Sequence, residues 1–104
     1  MNNTKWNEIF HAFFDLECSD DPAEAALDIP WTTKTRDGFC YSDHTWSHFG
    51  CEPTDYQEIA WLKITLTPQN RATVLDVLRR IHVPGEVMAN CVYVYGYRTD
   101  VDYI

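Results

Sequence analysis

The segment "IAWLKITLT", residues 59–67, decides the fold class. Ile59, Trp61, Lys63, Thr65 and Thr67 fall on one face, and Ala60, Leu62, Ile64 and Leu66 on the other. A period of two is that of a β-strand, and the aliphatic row is the face expected to meet the core. "TPQN", residues 67–70, then starts a helix. Thr67 suits the N-cap and Pro68 the first helical position, while Asn70 stands where a full capping box has Glu or Gln. This helix is expected to bury Ala72, Val74, Leu75, Leu78 and Ile81. Arg79 and Arg80 sit in its last turn, where cations suit the helix dipole. Pro84-Gly85 reads as a turn with positive φ at the glycine, flanked by His82 and Glu86 as turn residues. "CVYVYGY", residues 91–97, closes the pattern as a strand. Val92 and Val94 share one face; Cys91, Tyr93, Tyr95 and Tyr97 share the other.

The first half supplies the remaining elements. Trp6, Ile9, Phe10 and Phe13 recur at the spacing of an amphipathic helix, capped by Asn3 or Thr4 and running to about Leu16. "DPAEAA", residues 21–26, starts a short second helix, with Asp21 as N-cap, Pro22 at the first position and Glu24 completing a capping box. Pro30 ends it, because a residue before proline is pushed out of helical geometry. "WTTKTRD" (31–37) and "FCYS" (39–42) read as two strands joined by a turn at Asp37-Gly38. Residues 43–55 read as a loop or short irregular element, closed by Gly50 and Pro53. The expected architecture is α+β: one domain, residues 1–104, with a small antiparallel or mixed sheet of about four strands and helices on one face.

Charge is distributed unevenly. The net charge is −8, and residues 15–28 hold Asp15, Glu17, Asp20, Asp21, Glu24 and Asp28 without a single base. Such a surface repels nucleic acid and anionic membranes and accelerates encounter with a cationic protein. No run is long and apolar enough to span a membrane, and the start "MNNTKW" has no basic or hydrophobic signal region. The expectation is a cytoplasmic protein with reduced cysteines.

"FCYSDHTWSHFGC", residues 39–51, brings Cys40, His44, His48 and Cys51 together. Two thiolates and two imidazoles have zinc-compatible chemistry. Small zinc sites, however, usually pair close ligands and separate the pairs by a dozen or more residues. Here all four crowd one segment whose Trp46 and Phe49 are suited to the core. A Cys/His nucleophilic pair lacks a surrounding signature and an orienting third group. The four glycines, at 38, 50, 85 and 96, form no phosphate-cradling loop. The segment is therefore read as structural and the chain as non-enzymatic, with no metal or cofactor.

"KWNEI" (5–9), "WSHF" (46–49) and "IAWLKI…IHVPGE…VYVYGY" across the second half together resemble a family of small bacterial proteins defined only as a domain of unknown function. The likeness spans most of the chain outside residues 18–42 and brings no catalytic residues with it. In size, acidity and layout the chain is also similar to the immunity proteins of bacterial toxin systems, which share no single fold. That likeness implies a cytoplasmic protein that blocks a basic toxin domain, commonly a nuclease. The candidate partner-binding residues are the six acids together with Tyr93, Tyr95 and Tyr97. The alternatives are a small zinc protein built on the 40–51 cluster and an oligomer-forming scaffold with the tyrosine strand as a dimer edge.

Overall fold

The computed structural model describes residues 1–49, 56–98 and 100–104. Helix α1 (Asn3–Glu17) leads into the single-turn α2 (Pro22–Ala25). The hairpin β1 (Trp31–Thr35) and β2 (Cys40–Asp43) follows, then a 3₁₀ turn at Trp46–His48 and another at Tyr56–Glu58. Strand β3 (Ile59–Thr65), helix α3 (Arg71–Ile81), β4 (Gly85–Val87) and β5 (Cys91–Tyr95) complete the order. Among the described residues the sheet has five strands in the order β2-β1-β3-β5-β4, and every pairing is antiparallel. The chain is α+β, with the helices packed against the sheet.

The alternation in 59–67 sets this arrangement. Leu62 and Ile64 are fully buried, and in register they face Thr33 and Trp31 on one side and Val94 and Val92 on the other. All six side chains point to the helix side, where Trp6, Ile9 and Phe13 of α1 and Val74, Leu75, Val77 and Leu78 of α3 meet them. Ile59 departs from the expected pattern. It is fully buried rather than outward with Trp61, because Trp61 opposes Lys34 while Ile59 opposes Thr35. Ala60 is thus one extra residue on β3, a β-bulge that resets the alternation before it.

The helix ends differ from expectation in instructive ways. Asn2, not Asn3 or Thr4, caps α1, its side chain accepting from the Lys5 N–H at 2.9 Å. Helix α3 starts at Arg71 with Asn70 as its N-cap, three residues later than expected, and Thr67 and Asn70 exchange capping-box-like bonds in the turn that leads into it. The Asn70 N–H donates to Thr67 Oγ1 at 3.1 Å, and the Thr67 N–H donates to Asn70 Oδ1 at 2.8 Å. Asn70 Nδ2 then donates to the carbonyls of Asp28 and Thr65, so one fully buried amide ties α3, β3 and the end of the acidic segment together. Ala72 is exposed, not buried as expected. It stands in the first turn of α3, about 160° around the helix axis from Val74.

The largest correction concerns 82–87. Gly85 has no positive φ; it opens β4, which is an edge strand beside β5. A Cβ there would stand 2.1 Å from the Tyr93 carbonyl oxygen, so glycine is needed for space rather than for turn geometry. Glu86 is likewise a strand residue, paired with Tyr93. The left-handed residue is His82, at φ 66°, capping α3. Gly38, at φ 95°, does make the expected hairpin turn.

Candidate functional site

The acidic surface occupies the helix layer: the end of α1, α2, and the connection into β1. Its six carboxylates are not equivalent. Glu17 Oε1 accepts from the Trp46 N–H at 3.0 Å and pins the 3₁₀ turn to α1. Asp21 caps α2, accepting from the Ala23 N–H at 2.9 Å. Glu24 Oε1 accepts from the Ser19 hydroxyl at 3.2 Å. Asp28 lies 2.9 Å from His44 Nδ1. Asp15 and Asp20 are exposed, and they present their charge to solvent. Among the described residues, no lysine or arginine stands within ion-pair distance of any of the six. Phe10 and Phe14 of α1 stack at 5.3 Å, half-buried against the core, and Phe14 directly precedes Asp15 in sequence.

The tyrosines lie elsewhere. Tyr93 and Tyr95 point to the sheet face opposite the helices, alongside Trp61, Lys63 and Lys34, which follow the same alternation. Trp61 meets Tyr93 edge-on at 5.3 Å, and Tyr93 stacks with Tyr95 at 6.2 Å. Tyr95 is only 8% exposed, with the Arg98 guanidinium 4.7 Å from its ring centre. The strand ends at Tyr95, so Tyr97 is not part of the row; its hydroxyl donates to the Gln57 carbonyl and Arg36 lies over its ring. The acids and the tyrosines therefore do not form one surface. Nor is the tyrosine strand a free edge for dimerisation, since β5 is flanked by β3 and β4.

The cysteine/histidine segment is organised around a residue that spacing did not single out. Asp43 ends β2 and accepts from the backbone N–H groups of His44 and Thr45 at 2.7 and 2.9 Å and from the Tyr41 hydroxyl at 2.6 Å; His48 Nδ1 lies 2.6 Å from it. These bonds hold its carboxyl well below the usual carboxylate range, Tyr41 contributing most. His44 turns instead to Asp28, which raises its pKa above the ordinary 6.5. Cys40 is exposed at the start of β2, and Cys51 lies outside the described residues. Among the described residues no three His, Cys, Asp or Glu side chains stand together as a metal-binding group.

This geometry has a pH signature. His44, with a raised folded pKa, contributes stability that is fully present below 6.5 and is lost as pH rises through the folded value. Asp43, with a depressed one, contributes stability that is present above 3.8 and lost as pH falls through its lower folded value. In an NMR titration His44 should have its midpoint above 6.5, and Asp28→Asn should lower it. A midpoint unmoved by Asp28→Asn would mean that the contact does not form in solution.

Among the described residues no helix is long and apolar enough to cross a membrane. No curated protein and no solved structure matches the chain. A family model matches residues 1–100, which takes in the 5–9, 46–49 and 81–86 segments and also the 18–42 stretch. The chain belongs to that family, the family of unknown function DUF6678.

Proposed function

We propose that the chain is a non-enzymatic binding protein of the cytoplasm whose acidic surface receives a cationic protein. In its specific form, it is an immunity protein that neutralises a basic toxin domain such as a nuclease. The observation that carries this reading is the set of six carboxylates that no lysine or arginine neutralises among the described residues. Glu17, Asp21, Glu24 and Asp28 also serve local structure, but Asp15 and Asp20 do not, and the summed negative field of the six favours a positively charged partner. Phe14, next to Asp15 in sequence, and Phe10 stacked on it are the half-buried aromatics offered as anchors, since rim charge chiefly sets the rate of encounter and buried aromatics set residence.

Co-expression with the product of the neighbouring gene is the test. The expected outcome is that the product is a basic domain, that it forms a complex which survives gel filtration at low salt, and that its toxicity disappears in the complex. A neighbouring product that is acidic, or a basic one that elutes apart from the chain, removes the reading.

A further inference from the structure

A cleft of about 460 Å³ opens between the start of α1, the end of α3, residues 96–98 and residues 101–103. Its volume falls in the range of small-molecule sites. The chain has 16 acids and 8 lysines and arginines, yet the described lining includes Lys5, Arg98 and His82 and no carboxylate. Tyr97 and Tyr103 add exposed rings, at 51% and 58%.

His82 is the residue that general packing does not explain. It caps α3 at φ 66°, a left-handed position that glycine fills without steric cost and histidine only with strain. The backbone there has no need of an imidazole. The ring nonetheless stacks on Tyr103 at 4.6 Å and 20°, at the mouth of the cleft. Strain kept at the rim of a concavity is a mark of a site. The two cations retain spare donors. Lys5 Nζ donates to the Ile81 carbonyl and lies 3.9 Å from Glu8, and an ammonium carries three protons. Arg98 meets Asp100 through Nε and Nη2 at 3.3 Å, which leaves Nη1.

We propose that this cleft binds a small organic anion carrying a planar ring, its charge held by Lys5 and Arg98 and its ring placed among His82, Tyr97 and Tyr103. Charge-assisted bonds from a lysine and an arginine recognise a carboxylate or a phosphate alike, and exposed aromatic faces favour a ring over a bare ion. The site is independent of the acidic surface.

NMR titration of the full chain tests it, with adenosine monophosphate and benzoate as the two ringed anions and with adenosine and inorganic phosphate as controls. Saturable binding of either ringed anion, with shifts centred on Lys5, His82, Arg98 and Tyr103, is expected. Binding of adenosine monophosphate alone points to a nucleotide, and binding of benzoate to an aromatic acid. The matching control, which lacks either charge or ring, should bind about tenfold more weakly or worse. Arg98→Gln should weaken binding by a similar factor. His82→Gly should weaken it while leaving the chain folded, because glycine accepts that φ freely. The proposal is overturned if neither ringed anion saturates by about 10 mM, which is weaker than the millimolar end of ordinary affinity. It is equally overturned if phosphate alone binds as tightly as the ringed anion that saturates, or if both variants bind like the parent.

Discussion

Trp46→Ala is expected to destabilise the fold by about 3–5 kcal/mol, the cost of removing a buried tryptophan. Trp46 is 2% exposed and is the pin between the helix layer and the irregular segment after β2. Its ring packs on Phe13 at 4.6 Å, Phe49 at 5.2 Å and Trp31 at 5.6 Å. Its Nε1 donates to the Ile29 carbonyl at 3.0 Å, and its backbone N–H donates to Glu17. Alanine leaves a large cavity and strips the Ile29 carbonyl of its partner, and both effects act in the same direction. Trp46→Phe should cost less, since it retains most of the packing and loses chiefly the hydrogen bond. Urea unfolding of both variants is the check. A loss under about 1 kcal/mol for Trp46→Ala, below the range for buried aromatics, would mean that the 46–48 turn is not anchored in the core.

Leu62→Ala should cost about 2–5 kcal/mol by the same transfer-plus-cavity reasoning. Leu62 is 0% exposed at the centre of the sheet, paired with Thr33 and Val94. Trp61, one residue earlier, is larger but half-buried on the opposite face. Per atom removed, Leu62→Ala should therefore be the more damaging change. Thermal or urea unfolding in which Leu62→Ala is near neutral would contradict the assignment of the core face.

The parts of the fold that sequence reveals are those fixed by local chemistry. The alternation in 59–67 names the core face of β3, and Asp37-Gly38 names the hairpin. Strand β4 was hidden because its three residues are a strand only by pairing with β5, and Pro84-Gly85 looks locally like a turn. The bulge at Ala60 was hidden for a similar reason, since register is a property of two strands and not of one. At the candidate site, composition alone located the acidic run. It did not separate Glu17, Asp21 and Asp28, which hold local structure, from Asp15 and Asp20, which do not. That division rests on hydrogen bonds to Trp46, Ala23 and His44, and the first and last of these come from residues 16 or more positions away. Alternation in 91–97 placed the tyrosines on one strand face without saying which face is covered. The left-handed geometry of His82 has no marker in the sequence, because glycine is the usual residue there.

The acidic surface is the core of the functional account, and Asp15→Lys with Asp20→Lys probes it while leaving the Asp21 cap and the Glu17–Trp46 bond intact. The decisive measurement is the association rate with the neighbouring gene's product, the proposed basic partner, across a range of salt concentrations, for the wild type and this double variant. The wild-type rate should fall steeply as salt rises, as it does for electrostatically steered encounter. The double variant should associate about tenfold or more slowly at low salt, with a flatter salt dependence and an unchanged melting temperature. Equal rates and equal salt dependence for the two proteins would contradict the claim and reduce the acidic segment to a solubilising surface.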